Sequence, residues 1–237
     1  MNALLDFVKA AKIANSTVDA TNDIVFTDNV YNRFNFTKRL DATFTAGNNG
    51  GGLDTGAIAD GWYHCHAIRN GALIDYIFST SLTAPVIPTG YSLTFRRVGS
   101  ILRVSSVIKP FFQVGKYFTW LTVAQDILVT NQSGTAVLRT ISTPPGIRVV
   151  AILNAGVSHA TATSGTVYVS SPDATDEDPA NNYSITNVCQ VNARGVYTRL
   201  LVPTNTSSQV RTRGINTNTT VVLGTVGWED TEDRQAA

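Results

Sequence analysis

Between Gly47 and Asn70 the chain reads GNNGGGLDTGAIADGWYHCHAIRN, and three groupings in this stretch have residue types that can do chemistry. The glycine run suggests a phosphate loop. Such a loop needs Lys and Ser or Thr after its second glycine, at the opening of a helix. Here Gly52 is followed by Leu53 and Asp54, and the strand-like run Trp62 to Ile68 comes next. Leu53-Asp54-Thr55-Gly56-Ala57 has the form that supplies one carboxylate of an aspartic-protease pair, in which two acids share a proton. That role requires an aspartate at the end of a buried strand. The preceding glycines predict a turn instead, and no glycine-rich flap hairpin follows. His64 and His66 alternate along a strand, so both point to one face and Cys65 to the other. Two imidazoles are an incomplete metal site, and a third ligand would have to come from His159 or an aspartate. The spacing predicts two histidines on the polar face of a strand and no bound metal.

What remains is scaffold. Trp62 to Ile68 is expected to pair with Ala72 to Thr80 across Arg69-Asn70-Gly71, because Asn-Gly is a strong hairpin signal. The same texture runs on from Asn15. ALIDYIFSTS, YSLTFRRVGSILRV, GIRVVAILN, GTVYVSS and TTVVLGTVGW are rich in β-branched and aromatic residues. Such residues suit a pleated surface. Breakers such as Pro88-Thr89-Gly90, Pro144-Pro145-Gly146 and Ser171-Pro172-Asp173 leave little room for long helices. No fixed-period repeat marks a propeller or a β-helix. The expected fold is all-β: an antiparallel β-sandwich or jelly-roll-like module over residues 19–237, as one body or two subdomains. Only the N-terminal MNALLDFVKAAKIANS has a helical pattern, with Leu4, Val8 and Ala11 at four-and-three spacing and Leu5 beside them. A helix this short needs a partner surface, so residues 1–18 are read as an attachment or oligomerisation segment. Leu4, Leu5, Phe7 and Val8 are its contact residues.

Composition removes several functions. The 237 residues are 43% hydrophobic but only 15% charged, with net charge +1. Arg96-Arg97 and Arg211-Thr212-Arg213 are isolated pairs, whereas a duplex binder carries a basic stripe that displaces counterions. Nucleic acid is therefore not an expected partner. No apolar run is long enough to span a bilayer, and the first residues lack the pattern of a signal peptide. Membrane insertion is not expected, and synthesis is placed in the cytoplasm of the host cell. Cys65 and Cys189 are the only cysteines. They form no zinc set and no disulfide framework, and are read as two reduced thiols, the alternative being a single bridge between them. No cofactor is expected.

LDTGAIADGWYHCHAIRN followed by DYIFSTSLTAPVIPTGYSLTFRRVGSIL resembles a family of bacteriophage and prophage tail-fibre-like virion proteins. Asp19-Ala20-Thr21-Asn22-Asp23-Ile24, Thr37-Lys38-Arg39-Leu40-Asp41-Ala42 and Ile108-Lys109-Pro110-Phe111 fit the same pattern. So do Ser171-Pro172-Asp173-Ala174-Thr175-Asp176, Thr204 to Arg213 and Gly227-Trp228-Glu229-Asp230. The matches run in order from Asp19 to Asp230. In relatives of this type the module often ends a longer fibre, while here only Met1 to Val18 precede it, so that segment would carry the attachment. The acidic GWEDTEDRQ stands where a more basic ending is expected.

The resemblance implies a spike or fibre protein on the head or tail surface of a virion, binding a host-surface polysaccharide during adsorption. Low charge and abundant Asn, Thr, Ser, Tyr and Trp suit sugars, whose hydroxyls need hydrogen-bond partners and whose apolar faces lie on aromatic rings. Tyr31, Tyr117, Trp120 and Tyr168 are the expected glycan contacts. Other virion structural proteins are the remaining partners. Weak single-sugar contacts favour several linked copies, so a homo-oligomer is expected. The resemblance implies a trimer, and attachment at a five-fold vertex would make a pentamer. The alternative is a structural decoration, connector or collar protein that never meets the host. Enzymatic activity is not expected. Glycoside hydrolysis uses two placed carboxylates, and Asp173, Asp176, Glu177 and Asp178 fall in a Pro-flanked loop suited to solvent or weak calcium binding.

Overall fold

The computed structural model describes residues 12–28, 33–159, 165–178, 187–191, 195–215 and 218–230. All regular structure among these residues is β, as the composition dictates. The chain divides into two compact units, and the second is Tyr117–Thr231.

The first unit is built on one eight-stranded sheet. Its strands are β1 (Lys12–Asn15), β2 (Asp23–Asp28), β3 (Arg33–Thr43), β4 (Gly50–Leu53), β5 (Gly61–Asn70), β6 (Leu73–Ser79), β7 (Phe95–Val104) and β8 (Val107–Ile108). Their spatial order is β1-β2-β3-β4-β6-β5-β7-β8. A short strand β9 (Phe111–Val114) ends the unit. The expected hairpin is present, with β5 and β6 pairing from His64↔Ser79 to Asn70↔Leu73 and Gly71 turning at φ 57°. One face of the sheet carries an aromatic core, where Phe26 stacks on Tyr76 at 4.0 Å and Phe78 packs beside it.

Two expectations change here. The glycine run is a strand, and β4 pairs parallel with both β3 and β6, so the sheet is not wholly antiparallel. Gly47 (φ 92°) and Asn49 (φ 61°) do form a turn, but Gly50 to Leu53 then enter the sheet. The reason is space. A Cβ on Gly51 would lie 2.2 Å from the Thr43 carbonyl oxygen, and one on Gly52 would lie 2.6 Å from the Phe78 ring. Only glycine lets the backbone approach its neighbours this closely.

The expected N-terminal helix is not seen among the described residues. Lys12–Asn15 is an edge strand on β2, with Ile13 in the core and its N–H donated to Gln113 Oε1 at 2.8 Å. Pairing and burial override a weak helical preference. Residues 12–18 therefore belong to the first unit and not to a separate segment. Leu4, Leu5, Phe7 and Val8 lie outside the described residues.

The second unit contains β10 (Tyr117–Val129), β11 (Val137–Thr140), β12 (Val150–His159), β13 (Gly165–Ser170), β14 (Asn187–Val191), β15 (Val196–Pro203), β16 (Gln209–Gly214) and β17 (Thr219–Glu229). Strands β15, β12, β17 and β10 are antiparallel neighbours in that order, and β11-β16-β13-β14 form a second sheet. One buried cluster draws on both: Leu153, Ala155 and Val157 of β12 and Leu223 of β17 share it with Val167, Val169 and Val210. Alternation then turns the odd-numbered residues of β15 and the even-numbered ones of β12 to the opposite face.

Candidate functional site

The residues that first suggested chemistry have structural roles. The histidines of β5 are buried, not exposed on a polar face. His64 is held at 2.9 Å between Nδ1 and Ser100 Oγ, and Ser100 also accepts from Arg97 Nη1 at 3.3 Å. His66 Nε2 lies 3.1 Å from the Ser81 carbonyl oxygen. Burial, then the Arg97 guanidinium, then the neighbouring His66, push His64 down to about 3. Burial pushes His66 down to about 4; the Ser81 bond and Asp54 oppose it and Arg97 adds to it. Both rings are neutral at pH 7. Among the described residues no three His, Cys, Asp or Glu side chains converge on a metal position. Cys65 is a free thiol on the other face, and burial pushes its ionisation up.

Asp54 stands at the end of β4 after all, but its carboxylate is used locally. Oδ1 accepts from Thr55 N at 2.7 Å, and Oδ2 accepts from Val86 N at 2.9 Å, which ties the loop after β6 to the strand. Asp75 is likewise committed. It pairs with the fully buried Lys38 at 3.0 Å and accepts from the Gly47 N–H and from Tyr91 Oη. Lys38 donates to the Thr45 carbonyl and lies 4.4 Å from the Phe44 ring centroid. This ion pair fixes the turn that opens the glycine run.

The acidic loop is solvent-exposed, as expected, and its aspartates are also ion-paired. Arg211 and Arg213 reach Asp176, Arg213 also reaches Asp178, and Arg148 Nε lies 2.6 Å from Asp173 Oδ2. Asp173, Asp176 and Asp178 are thus answered by arginines of the same unit.

The expected glycan aromatics divide sharply. Trp120 is 2% exposed, its ring tilted against Trp228 with centroids 5.1 Å apart, and its indole N–H donates to the Ser142 carbonyl. Tyr168 is 4% exposed within β13. Neither offers a ring face to solvent; both serve the core, where large aromatics contribute most. Tyr117 is 44% exposed at the first position of β10. Tyr31 lies outside the described residues.

Among the described residues the most exposed aromatic ring is Tyr197, at 84%, which the sequence did not single out. It sits on the outer face of the β15-β12-β17-β10 sheet, opposite Gly156. The ring reclines over that glycine, since a Cβ there would lie 2.6 Å from a ring carbon. A second glycine, Gly224 on β17, keeps the adjoining floor open. Between the two is a shallow groove of about 260 Å³, whose lining includes Tyr197, Asn154, Gln125, Val123 and Val222. Its chemistry is one upward-facing aromatic ring, two carboxamides, aliphatic edges and bare backbone, with no carboxylate in the lining. Arg199, two residues along β15 from Tyr197, stands at the rim and donates from Nε and Nη2 to Asn154 Oδ1 at 3.4 and 3.3 Å.

The signal for Tyr197 was present in VYTRLLV as parity. Leu200 and Val202 are core residues, so Tyr197, Arg199 and Leu201 must face the other way. Compared with known proteins, the chain matches no family model and no curated protein.

Proposed function

We propose that the chain is a virion-surface adhesion protein, of the spike or fibre kind, that binds a host-cell surface polysaccharide during adsorption. The observation that carries the reading is the Tyr197 groove. Its ring is exposed, its amides can pair with sugar hydroxyls, and its open floor accommodates an extended chain. Sites of this kind combine an apolar surface with a few placed polar groups. The second unit supplies the platform, as a β-sandwich whose inner faces share one core. The resemblance to tail-fibre-like proteins supports the virion context. Low affinity for a single sugar is offset by repetition, so the protein acts as a homo-oligomer, with a trimer favoured.

The test is binding of labelled full-length protein to host cells before and after their capsular or lipopolysaccharide sugars are stripped, beside the Tyr197→Ala variant. Binding lost in both cases is expected. A folded, oligomeric protein that ignores intact cells would overturn the reading. It would favour the second one, a structural decoration, connector or collar component, for which exposed Leu121, Leu128 and Leu201 offer subunit contacts.

A further inference from the structure

We infer that the groove selects an acidic glycan, with a sugar carboxylate seated on Arg199; the inference rests on the glycan-binding reading above and adds the ligand class. Three observations carry it. First, arginine has no acceptor, so its bonds to Asn154 identify the engaged atom of that amide as Oδ1. The carbonyl oxygen is engaged by Arg199, which leaves the Asn154 NH2 as the end of that amide able to donate to a ligand. Second, the guanidinium keeps N–H groups, Nη1 among them, that no described residue accepts, and no described carboxylate pairs with it. Arg148, Arg211 and Arg213 of the same unit are all paired with aspartates. Third, the acid nearest the groove in sequence is turned away from it. Asp126, beside the groove residue Gln125, accepts from Ser142 Oγ at 2.5 Å and from the Thr225 N–H at 2.8 Å.

The site therefore presents donors and a cation beside an aromatic ring. A planar guanidinium fork matches a carboxylate geometrically, whereas a neutral hexose would leave Arg199 without a charge partner. The Tyr197 ring takes the apolar face of the same sugar or its neighbour.

The experiment compares oligomers of glucuronic, galacturonic and mannuronic acid with their carboxyl-reduced counterparts, which keep every ring and linkage but lose the charge. Titration calorimetry on the full chain is read for wild type, Arg199→Met and Tyr197→Ala. Arg199 and Tyr197 are both exposed, and circular dichroism checks that the variants keep the fold. The expected result is that at least one acid form binds roughly fivefold tighter than its reduced form at low salt. The preference should shrink with added salt and vanish in Arg199→Met, and Tyr197→Ala should lose both forms. Equal binding of acid and reduced forms, sensitive to Tyr197→Ala, overturns the acidic preference and leaves the glycan reading standing. A preference that survives Arg199→Met overturns the assignment to this residue. Binding of neither form overturns the acidic-glycan inference, and if stripped and intact cells then bind alike the glycan reading falls with it.

Discussion

Arg211 reaches across from β16 to Asp176, with its Nε 3.2 Å from Asp176 Oδ1. The same guanidinium donates to Ser170 Oγ and to the carbonyls of Ala174 and Thr175, each at 3.0 Å. Asp176 meanwhile accepts from Arg213 Nη1 at 2.7 Å. Ser171 to Asp176 and Thr204 to Arg213 are two separate segments of sequence, and the fold makes them the two halves of one clamp. A lysine could not replace Arg211, because one ammonium cannot serve a carboxylate, a hydroxyl and two carbonyls in a plane.

The first prediction follows from that geometry. Arg211→Lys and Arg211→Met should each destabilise the protein, the second by about 2 kcal/mol, because Arg211 is buried while Asp176 is a third exposed and partly screened. Limited proteolysis should cut the 173–178 loop faster in both variants. An uncut loop and an unchanged melting temperature would show that the clamp is decorative.

Glycine positions should separate by mechanism. Gly51→Ala places a methyl 2.2 Å from the Thr43 carbonyl, where only backbone can yield, so the variant should lose β4 and fail to give soluble folded protein. Gly47→Ala meets nothing within 4 Å and bears only the strain of φ 92°. It should fold and lose on the order of 1–2 kcal/mol. Chemical denaturation of the two side by side is the check, and equal losses would contradict the close-approach account.

That contrast also shows what the sequence could reveal. The β5–β6 hairpin was legible because Asn70-Gly71 and its flanking strands are local. Strand β4 was not, because what makes Gly50 to Leu53 a strand is Phe78 and Thr43, whose approach no local pattern encodes. Lys12 to Asn15 fails as a helix for the same reason: Ile13 is held by Gln113, far along the chain. The candidate groove was not legible residue by residue. Abundant aromatics and amides raised the expectation of sugar contacts without saying which rings are exposed: Trp120 and Tyr168 are core and Tyr197 is not. Choosing among them needed strand parity, and parity needs a register that only the paired strands supply.

Acid should expose the buried histidines. In the unfolded chain both titrate near 6.5, while the folded values are about 3 for His64 and about 4 for His66. The unfolded state therefore takes up protons that the folded state refuses as pH falls below 6.5. Stability is complete above that pH and declines toward pH 4, by up to ~1.4 kcal/mol per pH unit for each histidine. Thermal melts from pH 7.5 to 4 should show the decline, and His64→Gln with His66→Gln should flatten it. Should that double variant not fold, imidazole NMR shifts of the native protein decide the matter. Rings that titrate between pH 6 and 7 would refute the burial argument.

The two aromatic positions make the last prediction, because stability and binding should part company there. Trp120→Ala empties a filled core position and removes the partner of the Ser142 carbonyl. It should cost about 3–5 kcal/mol. Tyr197→Ala removes an exposed ring lying on a glycine and should change stability by less than about 0.5 kcal/mol. Cell or polysaccharide binding should follow the opposite order once Trp120→Ala is measured at a temperature where it is folded. Gly156→Ala separates geometry from ring chemistry, since it keeps Tyr197 but forces the ring off the strand. It should weaken binding without abolishing it. If Gly156→Ala and Tyr197→Ala both bind as wild type does, the groove is not the contact surface, and the exposed Tyr117 becomes the ring to test.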